Sequence, residues 1–304
     1  MLIPTASRLP RPVVLALLTV YLVWGSTYLA IQVALAGFPP FLLMGSRFVV
    51  AGAILFGWCR WRGAPLPDWR QWRAALLIGA LLLGGGMGLT ALAQQHVSSG
   101  LTAVFIACSP LIYALWAGLF GDWPTRREWL GVAVGFAGAV LLASGGPLSA
   151  QPFGVLALLG AIVCWTLGSI LSLKKIRLAP GAMGFASEML MGGVCMLLIA
   201  MLRGEAFAPV ITPQAWLAWL YLVVAGSLGA FTAYMYLLPR VSPALVSSYA
   251  YVNPVIAVAL GALFGGEHLG GREATAVAII LASVVLVTLG RGKIRSPLPV
   301  AETG

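Results

Sequence analysis

Long apolar runs, separated by short breaks rich in glycine, proline or charged residues, dominate this chain of 304 residues. A run of about 20 apolar residues matches the hydrocarbon thickness of a bilayer, where a helix must satisfy its own backbone N–H and C=O groups. The runs therefore predict an all-α polytopic membrane protein. We place ten transmembrane helices near residues 13–36, 40–59, 74–94, 99–120, 129–145, 153–173, 181–202, 215–238, 243–264 and 274–290.

The breaks between the runs carry residues that end helices. They include Gly37 to Pro40, Gly145 to Pro147, Ala179 to Gly181, and Gly265 with Gly266. Glycine gives the backbone freedom there, and proline removes a hydrogen-bond donor. These positions favour ten spans over nine or eleven. The first run is longer than the roughly 7 to 15 residues of a signal-peptide core, so we predict that it is a retained span.

Composition excludes several classes of function. The chain is 61% hydrophobic and 9% charged, whereas about a quarter of the residues of soluble domains are charged. Its net charge of +10 does not predict nucleic-acid binding, because the basic residues lie in short runs between apolar stretches. The four cysteines show neither CxxC nor Cys/His spacing. We predict no disulfide, no metal site and no cofactor.

The chain matches itself at an offset of 141 to 144 residues. The aligned pairs are Trp24 with Trp165, Arg47 with Glu188, Ser109-Pro110 with Asn253-Pro254, and Leu119-Phe120-Gly121 with Leu263-Phe264-Gly265. The match predicts two five-helix repeats, residues 1–147 and 148–304, in one membrane domain. Because five is odd, the second copy enters the membrane in the opposite sense, which makes the repeat inverted.

Loop charge supports that inversion. Basic residues collect on the cytoplasmic side of membrane proteins, so matching loops of an inverted repeat carry opposite bias. The segment 60–73 contains four arginines, whereas its counterpart after the seventh span contains only Arg203. The loop after the first span has no basic residue, and its counterpart has Lys174, Lys175 and Arg177. Both termini are therefore predicted to be cytoplasmic.

This architecture, with Trp24-Gly25-Ser26, Arg47-Phe48 and a proline in the fourth and ninth spans, resembles the drug/metabolite transporter superfamily. The closer likeness is to its EamA-type branch of bacterial exporters, and it covers nearly the whole chain, although each motif is short. The resemblance implies an inner-membrane protein that exports amino acids, related metabolites or toxic analogues. Within that branch the chain looks most like the aromatic amino acid exporters of the YddG kind.

The two prolines are candidates for the substrate site, which inverted-repeat transporters place near midplane beside broken helices. Pro110 and Pro254 each bend a helix and free a carbonyl, beside Ser109 and Asn253 respectively, that would hold a substrate ammonium group. In the alternative interpretation the prolines only curve helices for packing, and Asn253 satisfies the broken turn.

Aromatic residues form the second group of candidates. Trp24 and Trp165 lie in mid-span, away from the interfacial belts where membrane tryptophans usually sit. A buried indole needs a partner for its N–H, which a polar cavity or a ligand would supply, although packing bulk is the alternative. Four tyrosines are further lining candidates, with packing or interface anchoring as the alternative: Tyr28, Tyr113, Tyr249 and Tyr251.

Arg47 and Glu188 are the only charged residues that we place well inside spans. Charge inside a membrane usually faces the protein interior or a wet cavity. The pair would relay a proton or a substrate carboxylate. Alternatively it is a gate or a structural ion pair, or Arg47 snorkels to the nearby outer loop.

Two functions are weighed on this basis. The first is an exporter that exposes a central cavity alternately to each side, acting as a monomer or homodimer on a small molecule, with amino acids expected. The second is a membrane-embedded enzyme that acts on a lipid-linked substrate. An enzyme should carry a nucleophile with its base, or a metal cluster. The sequence, with two histidines and no acidic cluster, favours the exporter.

Overall fold

Helices make up all of the regular structure in the part of the chain that is described. The structure, a computed structural model, describes residues 10–121, 123–143, 151–237, 240–241, 245, 248–267 and 270–290, without the side chains of 142, 143, 251, 273, 284, 285 and 287–290. The helices are α1 Arg11–Ala34, α2 Pro40–Trp61, α3 Trp69–Ala93, α4 Ser99–Leu119, α5 Arg126–Ala143, α6 Pro152–Lys174, α7 Ala182–Leu202, α8 Pro213–Leu237, α9 Tyr249–Phe264 and α10 Gly271–Gly290. The prediction of an all-α protein is confirmed.

Seven helices in the described ranges are long and apolar enough to cross a membrane: α1, α2, α3, α4, α6, α7 and α8. Shorter apolar stretches lie in α9, at Val252–Phe264, and in α10, at Ala274–Ser283. The helix α5 begins with three charged residues, Arg126, Arg127 and Glu128. A multi-pass membrane protein follows from these helices, and the number of ten spans stays a prediction.

Polar caps fix where several helices begin. The helix α3 begins at Trp69, five residues before the predicted position, because Asp68 and Gln71 form a reciprocal capping box. The Asp68 carboxylate accepts a bond from the Gln71 N–H at 2.8 Å, and the Gln71 side chain accepts one from the Asp68 N–H at 2.9 Å. Such caps satisfy N–H groups that the first helical turn leaves without partners.

Two helices contain a π-helical stretch, Ala80–Gly88 in α3 and Leu222–Gly229 in α8. The stretches lie at matching positions of the two halves, and both are rich in glycine. A π stretch widens the helix and is frequent at functional sites. The π stretches were not predicted from the sequence, because a run of glycines is as typical of closely packed helices as of a π-helical turn.

The two proline sites differ in their backbone. The helix α4 is broken at Ala107 and Cys108, and Pro110 lies in the first turn of its second part. The Ser109 hydroxyl donates to the Ile106 carbonyl at 2.5 Å, which is the acceptor that Pro110 leaves without an N–H. By contrast, Pro254 lies inside the continuous helix α9.

The halves of the chain interleave rather than lie side by side. The most extensive helix contacts join α2 with α7, α5 with α10, α1 with α9 and α8, and α3 with α6 and α7. Exchanging the first five helices for the last five reproduces this pattern, since α1 with α9 corresponds to α6 with α4, and α1 with α8 corresponds to α6 with α3. The seam between the halves therefore passes through α1, α3, α6 and α8.

Candidate substrate site

The inward face of α1 carries two partly buried aromatic residues. Leu15, Leu18 and Leu22 mark its outward face, with exposed fractions of 65%, 46% and 56%. Trp24 and Tyr28 lie on the opposite face, one turn apart, and both remain partly accessible. That face is directed at other helices, so the accessible surface that remains on Trp24 belongs to the interior side of α1.

The helix α6 repeats this arrangement in the other half. Its outward face carries Leu156, Leu159 and Val163, all of them exposed. Trp165 lies on the opposite face and is only partly buried. The two tryptophans predicted from the internal repeat therefore occupy equivalent inward positions on either side of the seam.

Trp24 lies in an aromatic cluster formed by three helices. Its indole N–H donates to the Gly226 carbonyl in the π stretch of α8 at 3.2 Å. Its ring contacts Tyr234 of α8, with centroids 5.3 Å apart, and Tyr249 of α9 nearly at right angles, with centroids 5.0 Å apart. Edge and tilted contacts of this kind hold aromatic rings in place. The predicted residues Trp24 and Tyr249 are thus brought together.

Asn253 supports this cluster from behind. With its amide oriented so that the nitrogen faces them, Asn253 donates to the backbone carbonyls of Tyr249 and Tyr21, each at 3.2 Å. The Tyr21 hydroxyl is also hydrogen-bonded to Ser248. These bonds tie α9 to α1 and occupy the amide nitrogen. Contact of Asn253 with a substrate stays a prediction.

Trp165 rests on the π stretch of α3 as Trp24 rests on that of α8. A Cβ atom at Gly86 would lie 2.9 Å from Cε3 of Trp165, so only glycine admits the ring there. Within the described part of the chain, the Trp165 indole N–H has no hydrogen-bond partner. The neighbouring Trp116 instead donates to the Thr166 hydroxyl at 3.1 Å.

Arg47 is buried at the meeting point of α1, α2 and α8. Its exposed fraction is 2%. Its Nε donates to the Ser227 hydroxyl at 2.9 Å, its Nη1 lies 3.7 Å from the Met44 sulfur, and its guanidinium carbon lies 4.7 Å from the centre of the Phe48 ring. The side chain is therefore directed toward α8 and does not snorkel to the outer loop.

Glu188 is also buried, in α7, with an exposed fraction of 6%. Across the described residues it makes no ion pair with Arg47 and its carboxylate has no hydrogen bond. A structural Arg47–Glu188 pair is therefore absent from this conformation. A role of the two charges in a relay or a gate stays a prediction.

The remaining candidates are less closely placed. Ser109 bonds to the carbonyl freed by Pro110, as described above, and Tyr113 is half-buried in the second part of α4. The side chain of Tyr251 lies outside the described residues. Sequence reasoning missed Ser227 and Tyr21, which hold Arg47 and Asn253. A serine within the apolar run of α8 was the available signal for the first of them.

Two carboxylates bind helix N-termini at one end of the bundle. Glu267, between α9 and α10, accepts bonds from the Ser99 N–H at 2.7 Å, the Ser99 hydroxyl at 2.6 Å and the Gly100 N–H at 3.0 Å. Glu205, between α7 and α8, accepts one from the Leu42 N–H at 2.9 Å. Negative charge at a helix N-terminus is stabilising. The carboxylates thus join loops of the second half to α4 and α2 of the first.

The opposite end differs at the position equivalent to Glu205. By the offset of 141 residues in that part of the repeat, this position is Ala64. A cavity of about 350 Å³ lies beside Ala64, and its lining includes Leu66, Pro180 and Met183. At this position the two ends of the bundle therefore differ in charge.

Known proteins match both halves of the chain. The sequence model of the EamA-like transporter family matches residues 11–144 and again 152–289. The uncharacterized inner membrane transporter YedA of Escherichia coli K12 is 43% identical over 277 residues, 91% of this chain and 90% of its own. Protein PecM of Dickeya dadantii is 29% identical over 270 residues, 87% of this chain and 88% of its own.

A solved structure extends the likeness to the fold. A crystal structure of a protein that is 24% identical has a TM-score of 0.63 and covers 91% of this chain and 97% of its own. The double family match agrees with two repeats in the chain, and the predicted resemblance to the EamA-type branch is confirmed. The closer likeness to YddG-type exporters stays a prediction. The protein belongs to the EamA-like transporter family of the drug/metabolite transporter superfamily and is a multi-pass membrane transporter.

Proposed function

We propose that the protein exports amino acids or related small metabolites across the bacterial inner membrane by alternating access through a central cavity. The observation that carries this proposal is the pair of partly accessible tryptophans, Trp24 and Trp165, on inward faces at matching positions of the two halves. Each lies on a glycine of a π stretch, Gly226 or Gly86. Substrate sites of inverted-repeat transporters lie at such a seam.

The topology that we propose is ten spans in a five-plus-five inverted repeat, with both termini cytoplasmic. The exchange symmetry of the helix contacts supports the repeat, and the opposite charge of matching loops supports the inversion. In this topology, Glu205 and Glu267 lie at the periplasmic end, and the cavity beside Ala64 lies at the cytoplasmic end.

Alternating access requires that one end closes while the other opens. The bonds of Glu267 to Ser99 and Gly100, and of Glu205 to Leu42, join the two halves at the proposed periplasmic end. We assign this conformation to a state closed at that end. No observation on the described residues favours the alternative of an enzyme acting on a lipid-linked substrate.

Counterflow in proteoliposomes tests the proposal. Purified protein is reconstituted with a panel of radiolabelled amino acids, with and without an imposed pH gradient. We expect saturable counterflow of at least one member, and its loss in Trp24→Ala and Trp165→Ala. Trp61→Ala is the matched control, because Trp61 is 81% exposed at the end of α2. Absence of counterflow for the whole panel, or wild-type rates in both inward variants, would refute the proposal.

A further inference from the structure

We propose that Arg47 binds a carboxylate group of the transported molecule, which makes it the residue that selects carboxylates over amines. The inference rests on the proposed export function and adds a chemical requirement on the substrate. It is argued from the charge, the accessibility and the neighbours of the guanidinium group.

The guanidinium is a buried cation whose counter-charge is missing. Arginine offers five N–H donors and stays charged in proteins. Among the described residues, only the Ser227 hydroxyl and the Met44 sulfur accept from these N–H groups, and neither acceptor carries a charge. In the described part of the chain no carboxylate pairs with Arg47. Charged side chains inside membranes are usually paired or face a substrate pathway, so an anion is the missing partner.

The free end of the guanidinium is not completely sealed from solvent. Three side-chain atoms in the described ranges are both sealed from solvent and without a hydrogen-bond partner: Gln94 Oε1, Thr102 Oγ1 and Glu205 Oε1. Nη2 of Arg47 likewise has no hydrogen bond to a described residue. It is not among the three sealed atoms, however, so it fails the criterion of being sealed from solvent. A small accessible surface therefore remains at Nη2, although the residue as a whole is 98% buried.

Nη2 lies beside the residue that binds Trp24. A Cβ atom at Gly226 would lie 3.1 Å from Arg47 Nη2 and 3.1 Å from Thr27 Cγ2, and the Gly226 carbonyl accepts the Trp24 indole N–H. The cation and the inward indole are thus adjacent across a single glycine. A substrate with its carboxylate at Nη2 would place an apolar group against Trp24.

A carboxylate is the anion that the proposed amino-acid substrates carry, and its shape suits a guanidinium group. The N–H donors of guanidinium match the oxygens of a carboxylate. The contacts with Ser227 and the Phe48 ring hold the fork in a fixed orientation. Ser227 is accordingly a positioning residue, and Arg47 is the binding residue.

A set of three ligands that share a phenyl ring tests the inference: phenylalanine, 3-phenylpropanoate and phenylethylamine, the last without a carboxylate. Binding to the purified protein is followed by tryptophan fluorescence, and transport by counterflow. In the wild-type protein we expect the two carboxylates to bind at least about tenfold more tightly than the amine. Arg47→Gln should abolish that preference, and Ser227→Ala should weaken it in part.

Two controls separate recognition from folding. Arg47→Lys keeps the charge without the fork, and we expect it to retain part of the preference. Arg203→Gln removes an arginine that is half exposed and pairs with Glu205, and it should leave the preference unchanged. Thermal unfolding of each variant in detergent verifies that it is folded.

The results distinguish this inference from the proposed export function. An amine that binds and moves as well as the two carboxylates, or an unchanged preference in folded Arg47→Gln, would overturn the role of Arg47 while leaving export intact. Arg47-dependent binding of 3-phenylpropanoate without counterflow of any amino acid would support the anion site and refute amino-acid export.

Discussion

The Trp24 side and the Trp165 side of the protein have the same scaffold but different chemistry. Both tryptophans face inward on a helix of the seam, and both lie on a π-helical glycine of a partner helix. Trp24 has a hydrogen-bonded indole, two tyrosine rings and a buried arginine nearby, whereas Trp165 has no hydrogen bond among the described residues. A repeated fold can thus provide the two symmetric halves that the proposed alternating access requires. The polar groups proposed to select a substrate then lie on the Trp24 side alone.

The largest expected effect is on transport, from filling the two π-helical glycines. Gly226→Val would push apart Arg47 and Thr27, and Gly86→Val would meet the Trp165 ring. We expect Gly226→Val to lower counterflow by about 100-fold or more, since it displaces the proposed carboxylate-binding group of Arg47. Gly86→Val should have a smaller effect. Gly84→Ala is the control, because its nearest contact would be 3.9 Å away. Equal losses at positions 226 and 86 would show that ring packing dominates on both sides.

The next comparison concerns the two carboxylates at the proposed periplasmic end of the bundle. Glu267→Gln removes the charge that binds the N-terminus of α4, and we expect it to loosen the proposed periplasmic end. A Thr102→Cys reporter, fully buried in α4, should then react with a membrane-impermeant maleimide about tenfold faster. Glu205→Gln removes the charge from a carboxylate that accepts one described backbone bond, so it should give a smaller increase. Unchanged labelling in both variants would rule out the carboxylates as a closing device.

Stability should separate the two proline sites. Asn253→Ala removes two hydrogen bonds that link α9 to itself and to α1, so we expect a loss of about 2 kcal/mol in the free energy of unfolding. Ser109→Ala removes one local bond to the Ile106 carbonyl, for which about 1 kcal/mol is expected. Reversible unfolding in mixed detergent measures both. A larger loss for Ser109→Ala would show that the break in α4 depends on its hydroxyl group.

The smallest expected effect distinguishes the two indoles. Trp24→Phe removes the donor to the Gly226 carbonyl and should lower stability by about 0.5 to 1.5 kcal/mol. Trp165→Phe removes no described hydrogen bond, so its stability should change less than that of Trp24→Phe. The difference in melting temperature between the two variants is the measurement. If Trp165→Phe were the less stable protein, its indole N–H would have a partner that matters for folding.

Much of the fold could be read from residue patterns. Apolar runs predicted the helices, and most predicted boundaries lie within two or three residues of the observed ones, because glycine and proline end helices locally. The start of α3 was placed too late, since its first turn is held by the Asp68 and Gln71 cap and not by apolar periodicity. The self-match also identified Trp24, Trp165, Arg47 and Glu188 as residues in equivalent positions.

The parts of the site that the sequence did not reveal depend on contacts between distant segments. The π stretches and the bond from Arg47 to Ser227, 180 residues away in the chain, leave no periodic signal. Asn253 similarly bonds to a backbone carbonyl of α1, and a carbonyl can belong to any residue type. Pairings of this kind are decided when helices dock.

By itself, the sequence determined that the chain is a helical membrane protein with two related halves, because hydrocarbon length and backbone satisfaction act on each segment separately. Only the tertiary structure decided that Arg47 and Glu188 stay apart, that Arg47 lies beside Trp24 across Gly226, and that Glu267 binds the N-terminus of α4. Those outcomes depend on how side chains from α1, α2, α8 and the loops meet in space, which no local pattern encodes.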